Sequence, residues 1–201
     1  MRKVDLIDSL ATEAKARGAT DAKIMSARKV VVDARASFKC LVPLCSCYGT
    51  HLLCPPNAIP ASEFEKILGL YNHALILQVQ ADFDSRDKST RRLSKDLCKE
   101  LERKTGSLRW QRKLHRLVND LEASAFKKGF RFAAGLIGGE CTLCDECNAL
   151  ANNRRCEHPF MARPSMEAVG IDVVRTCDNA GLRVNLSSSR HVRWTGLILL
   201  D

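Results

Sequence analysis

Aromatic side chains are scarce in this chain: seven Phe, two Trp and two Tyr among 201 residues. A protein that binds single-stranded nucleic acid by stacking bases needs more rings, and the most basic stretch, residues 86–116, holds only Trp110. No apolar run approaches the ~20 residues of a membrane helix, and the longest, around Leu197–Leu200, is far shorter. There is no G-x-G-x-x-G and no G-x4-G-K-S/T segment, so nucleotide binding has no support. No repeat of solenoid length occurs either. The opening Met1-Arg2-Lys3-Val4-Asp5 has no apolar core behind its charges, which leads to the expectation of a cytoplasmic protein.

The rest of the composition is ordinary in bulk and unusual in one respect. Hydrophobic residues at 45% and charged residues at 27% suit a globular protein. A chain of this length buries about 70% of its unfolded surface and needs no disulfides to fold. Yet it carries ten cysteines. Eight fall into two tight groups: Cys40, Cys45, Cys47 and Cys54, spaced C-x4-C-x-C-x6-C, and Cys141, Cys144, Cys147 and Cys156, spaced C-x2-C-x2-C-x8-C. Cys98 and Cys177 stand alone. Disulfides rarely persist in the cytosol, so grouped thiols there point to metal.

The triple C-x2-C-x2-C suits a cubane iron–sulfur cluster, whose four irons each take one thiolate. A single tetrahedral zinc more often takes two distant C-x2-C pairs, which makes zinc the alternative cofactor. All eight grouped cysteines are candidate ligands for what the spacing predicts to be two 4Fe–4S clusters. Cys54-Pro55 supplies the Cys-Pro that the second group lacks, which raises the prospect of ligands crossing between clusters, as in two-cluster ferredoxins. His51 and His158 lie beside the cysteine groups as further donors or as supports for the ligands. Gly138 and Gly139 would let the backbone come close to a cluster.

Periodicity predicts an α/β (α+β) chain forming a single domain over residues 1–201. Its elements would be a mixed sheet with helices, two cysteine-rich loops and a long basic helical hairpin inserted at 85–129. The expected helices are 4–16 (Leu6, Leu10, Ala14), 62–72 opened by a capping box at Ser62 and Glu65, and two antiparallel helices across 84–129 with Leu93, Leu97, Leu101 and Leu114, Leu117, Leu121 as stripes, broken at Gly106. A further helix would run from the Ser165 cap to Asn179. Strands are expected at 22–27, 30–38, 74–80, 130–137, 183–186 and 192–200. Arg163, Ser165, Glu167 and Asp172 are candidate substrate-site residues, with a helix cap for Ser165 and a first-turn helix charge for Glu167 as the preferred readings.

Residues 86–116 contain 12 Lys and Arg against 4 Asp and Glu, nearly all of the chain's formal net charge of +9. The expected partner is an acidic redox protein or enzyme docking there. Nucleic acid is a less favoured partner, since no recognition motif accompanies the charge.

Two stretches resemble the signatures of the prokaryotic "predicted metal-binding protein" family, a cysteine-rich domain of unknown function. The first is Lys39-Cys40, Pro43, Cys45, Tyr48-Gly49 and Cys54-Pro55-Pro56-Asn57. The second is Gly138-Gly139-Glu140-Cys141, Leu143-Cys144, Cys147, Cys156, Pro159 and Arg163-Pro164-Ser165-Met166-Glu167-Ala168, then Gly170-Ile171-Asp172-Val173. The resemblance implies a cytosolic metal protein and supplies no activity. Cys47 stands where that family often has a small or polar residue. Were it not a ligand, three cysteines would leave one iron open, turning an electron carrier into a cluster-dependent enzyme or activation factor. A zinc-stabilised binding module for protein or nucleic acid is the third reading.

Overall fold

The computed structural model describes residues 3–42, 44–82, 107–151, 153, 155–184 and 191–201. Among the described residues five helices pack with a four-stranded sheet, giving the expected α+β chain. The helices are α1 (Lys3–Ala16), α2 (Ala34–Phe38), α3 (Ala61–Leu68), α4 (Ser107–Lys127) and α5 (Val173–Asn179). The strands are β1 (Asp21–Ser26), β2 (His73–Asp82), β3 (Ala134–Leu136) and β4 (His191–Leu200), in the order β1-β2-β4-β3. Every pairing among them is antiparallel, where the sequence suggested a mixed sheet. Strand direction depends on how the connections cross the sheet, and composition does not record that.

β2 and β4 form the centre, in register from His73↔Leu200 to Asp82↔His191. Their near-continuous apolar runs follow from burial on both faces. Leu75, Leu77 and Val79 with Ile198 and Leu200 meet Ile7, Leu10 and Ala14 of α1 and Leu114, Leu117, Val118 and Leu121 of α4. Ala74 and Ile76 with Leu197 and Leu199 meet Phe64 and Leu68 of α3, and Met166, Ile171 and Cys177. Period-2 alternation thus sorts one strand's side chains into two cores.

Several expected boundaries move. The segment 30–38 is not a strand: a 3₁₀ turn over Ala27–Lys29 precedes a lone bridge at Val32, and Asp33 then caps α2 through its carboxylate and the Arg35 N–H. The Asp cap and the Ala-Arg-Ala behind it outweigh the valines before it. α3 starts one residue early, behind Pro60, and has no side-chain cap, so Ser62 lies inside the helix and no capping box forms. The helix expected from Ser165 is split. The Ser165 hydroxyl accepts the Ala168 N–H, but the turn ends at Gly170 (φ +88), where an added Cβ would stand 2.4 Å from the Ala61 Cβ. Asp172 then caps the shorter α5. The 130–137 strand shrinks to β3, and 183–184 are irregular. Residues 84–106, with Leu93, Leu97, Cys98, Leu101 and Gly106, lie outside the described residues, as do 185–186. Among the described residues no helix is long and apolar enough to cross a membrane.

Candidate metal centres

Each cysteine group folds into its own loop of tight turns. In the first, Cys45 N–H donates to the Cys40 carbonyl (2.9 Å), Tyr48 N–H to Cys45 (3.1 Å) and Gly49 N–H to Pro55 (2.8 Å). Cys40, Cys45, Cys47 and Cys54 together line one cavity of about 140 Å³. Cys141, Cys144, Cys147 and Cys156 line another of about 30 Å³. The four cysteines of each cavity come from one loop, so the prospect of thiols crossing between groups is not what the fold forms. Cys47 stands in its cavity with the other three. Cys177 is buried in the core beside Gln78 and Thr195, its thiol pushed up to about 11 by burial, away from both loops.

The walls do cross. His51, Leu52 and Leu53 of the first loop line the second cavity, while Cys54 lines the first. Gly139 and Glu140 line the first cavity, while Cys141 lines the second. At Leu53–Cys54 and again at Glu140–Cys141, neighbouring residues serve different cavities, and Cα atoms of neighbours lie about 3.8 Å apart. His51 also hydrogen-bonds Cys47 while lining the second cavity, so its side chain stands between the two.

One short segment places both loops. Pro164 to Met166 closes the neck of the second: Ile137 N–H donates to the Pro164 carbonyl (3.0 Å) and Met166 N–H to Ile137 (2.8 Å). Gly170 to Asp172 closes the neck of the first: Asp33 N–H donates to Gly170 (2.7 Å) and Asp172 N–H to Val31 (2.9 Å). Between these contacts Glu167 turns its carboxyl to the first cavity, bonded by the Ser165 hydroxyl and the Gly139 N–H, and burial pushes its pKa up. It is not the first-turn helix charge expected from sequence, because the helix begins only at Val173.

The second loop is also gripped by α4. Arg112 donates to the Thr142 carbonyl (3.2 Å), His115 Nε2 and Asn119 Nδ2 both donate to the Met161 carbonyl (2.8 and 3.0 Å), and Glu122 takes Arg163 in a bidentate pair (2.7 Å twice). Residues 112, 115, 119 and 122 form a polar stripe at helical period beside the leucine stripe. That signal is present in the sequence, where it is masked by the basic residues around it.

Burial and the neighbouring thiols oppose ionising the cysteines together. Burial, then Cys45 and Glu167, raise the Cys40 thiol, while burial leads for Cys141 and its three neighbouring thiols add to it. Cys54 donates to Cys47, so the same bond lowers Cys47 to about 4, with His51 helping, and raises Cys54. Four thiolates in one cavity repel one another unless a metal compensates them. Near the second cavity the donor atoms of Cys144, Glu157 and His158 lie within 4.8 Å of one another. No other set of three metal-capable side chains does so among the described residues, which leaves both four-cysteine sets more open than that.

His115 gives a pH test of the α4 grip. Burial lowers its pKa from 6.5, and its Nδ1 is buried with no hydrogen-bond partner among the described residues, so protonation would strand a charged donor. The unfolded chain therefore binds the proton more readily, and stability is full above about pH 6.5 and falls as pH drops through the lowered pKa. The Tm of His115→Gln is expected to vary less steeply between about pH 5 and 7 than that of the wild type, as read by thermal melts. Parallel curves would discount the grip.

The sequence model of a family described as "Predicted metal-binding protein (DUF2284)" matches residues 23–200. No curated protein and no solved structure matches the chain.

Proposed function

The chain belongs to this family of predicted metal-binding proteins, and on that premise we propose that it holds two 4Fe–4S clusters and carries electrons to or from a protein partner. The observation that carries the reading is the pair of four-thiol cavities set wall to wall. Cys40, Cys45, Cys47 and Cys54 would hold one cluster, and Cys141, Cys144, Cys147 and Cys156 the other. Such clusters supply reversible one-electron transfer when bound. A tetrahedral zinc with thiolates at about 2.3 Å would set its sulfurs about 3.8 Å apart, and no three sulfurs of either set lie within 4.8 Å of one another, which supports a group larger than one ion. Cys47 inside its cavity supports full four-thiolate ligation over an open-iron enzyme. The chain's own part is to orient the thiols through the loop turns and to cover Cys47 and Cys54 from water. The exposed Arg109, Lys113 and Arg116 of α4 offer a docking face to an acidic partner.

One observation favours a second reading: the close approach of Cys144, Glu157 and His158 suits a single divalent ion. Metal and acid-labile sulfide on anaerobically purified protein separate the two. About eight iron and eight sulfide per chain are expected. About one or two zinc without sulfide would overturn the iron–sulfur reading.

A further inference from the structure

Beside the second cysteine cavity lies a third of about 400 Å³. Leu52 and Leu53 line both. The remaining wall is mainly apolar, with Ile59, Phe64, Ile67 and Leu136 prominent; its polar side chains are Asn57, which donates to the His51 carbonyl, and Tyr71, whose hydroxyl donates to the Phe132 carbonyl, and its charged groups are Glu122 and Arg163. That size and lining fall within the range of small-molecule sites.

The polar pair says what kind of molecule fits. Glu122 and Arg163 neutralise each other, so the wall offers no counter-ion, and a charged ligand would lose its hydration without compensation. Both Glu122 oxygens are engaged, by Arg163 and, for Oε2, also by the Gly135 N–H (2.6 Å). Arg163 donates from Nε and Nη2 to Glu122, from Nη2 to the Phe160 carbonyl and from Nη1 to the Ala162 carbonyl. These contacts use four of the five N–H groups of a guanidinium, and one Nη1 hydrogen has no partner among the described residues. We propose that this cavity binds an uncharged, mainly apolar ring compound bearing a carbonyl acceptor, seated against the two leucines that wall the second metal centre. The site stands whichever metal that centre holds.

The test uses the metal-loaded protein and the neutral fluorophore Prodan, a naphthalene ketone whose emission shifts to the blue on burial. Wild-type protein is expected to give a saturable blue shift at one probe per chain. Ala58→Trp, which fills the cavity from the edge near the first loop, should weaken binding by about tenfold or more. Ile67→Trp, from α3, should do the same and covers the case in which the first variant fails to fold. No saturable binding to the wild type, or equal affinity in a variant with unchanged circular dichroism, overturns the site. The iron–sulfur reading fails separately: bound Prodan should be quenched by an iron–sulfur cluster behind Leu52 and Leu53. Bright bound probe would retain the cavity and remove that cluster.

Discussion

Cys144→Ala is expected to lose about half of the bound metal, while Cys98→Ala leaves the metal content unchanged. Cys144 shares its cavity with Cys141, Cys147 and Cys156 alone among the grouped cysteines, so the loss should stop at one centre. Cys54→Ala should empty the other centre, and the Cys54→Ala/Cys144→Ala double variant should empty both. Metal–thiolate binding is linked to folding, so Cys54→Ala and Cys144→Ala should each also lower Tm by on the order of 10 °C, and Cys98→Ala should not. Metal analysis and melts of the four proteins check this. Two results would break the assignment: equal metal loss in Cys98→Ala and Cys144→Ala, or loss of both centres from either single ligand variant, as crossed ligation would give.

The second large effect is expected at the Glu122–Arg163 pair. Its side chains are 20% and 15% exposed, so most of the desolvation cost is incurred in folding. Glu122→Ala would strand the guanidinium and remove the acceptor of the Gly135 N–H, a change of about 3–5 kcal/mol. At this chain length that is roughly 10–15 °C in Tm. Arg163 sits at the end of the second loop, so metal at Cys141–Cys156 should also become easier to chelate while the first centre holds. Glu122→Leu combined with Arg163→Met, which buries no unpaired charge, should recover much of the lost stability in denaturant titrations. If Glu122→Ala alone unfolds at the wild-type midpoint, the pair carries no such weight.

The residues that were legible in the sequence have local signatures. Leu10 and Ala14 of α1, and Leu114, Leu117 and Leu121 of α4, repeat at helical spacing and are buried as expected. β2 and β4 showed as apolar runs because both of their faces are covered. The segment 30–38 was misleading because three valines precede a capping Asp, and the cap sets the conformation of residues 34–38. His51 was assigned to the neighbourhood of its own cysteine group; its place in the second cavity follows from a wall shared with residues far along the chain. Glu167 was hidden for the same reason, since the cavity it faces is built by cysteines more than a hundred residues earlier.

That this chain carries two tight cysteine groups suited to metal could be read from the residues alone, while the gathering of each group in its own cavity, with no thiol crossing between them, came from the fold. Thiols a few residues apart in a tight loop can meet at one point whatever the rest of the chain does. That the two cavities are neighbours came from the folded chain. It depends on residues 164–172 hydrogen-bonding the necks of both loops at once, Ile137 at one end and Val31 and Asp33 at the other. Those partners are held in place by a sheet whose central register pairs His73 with Leu200, and contacts of such separation leave no periodic trace in the sequence.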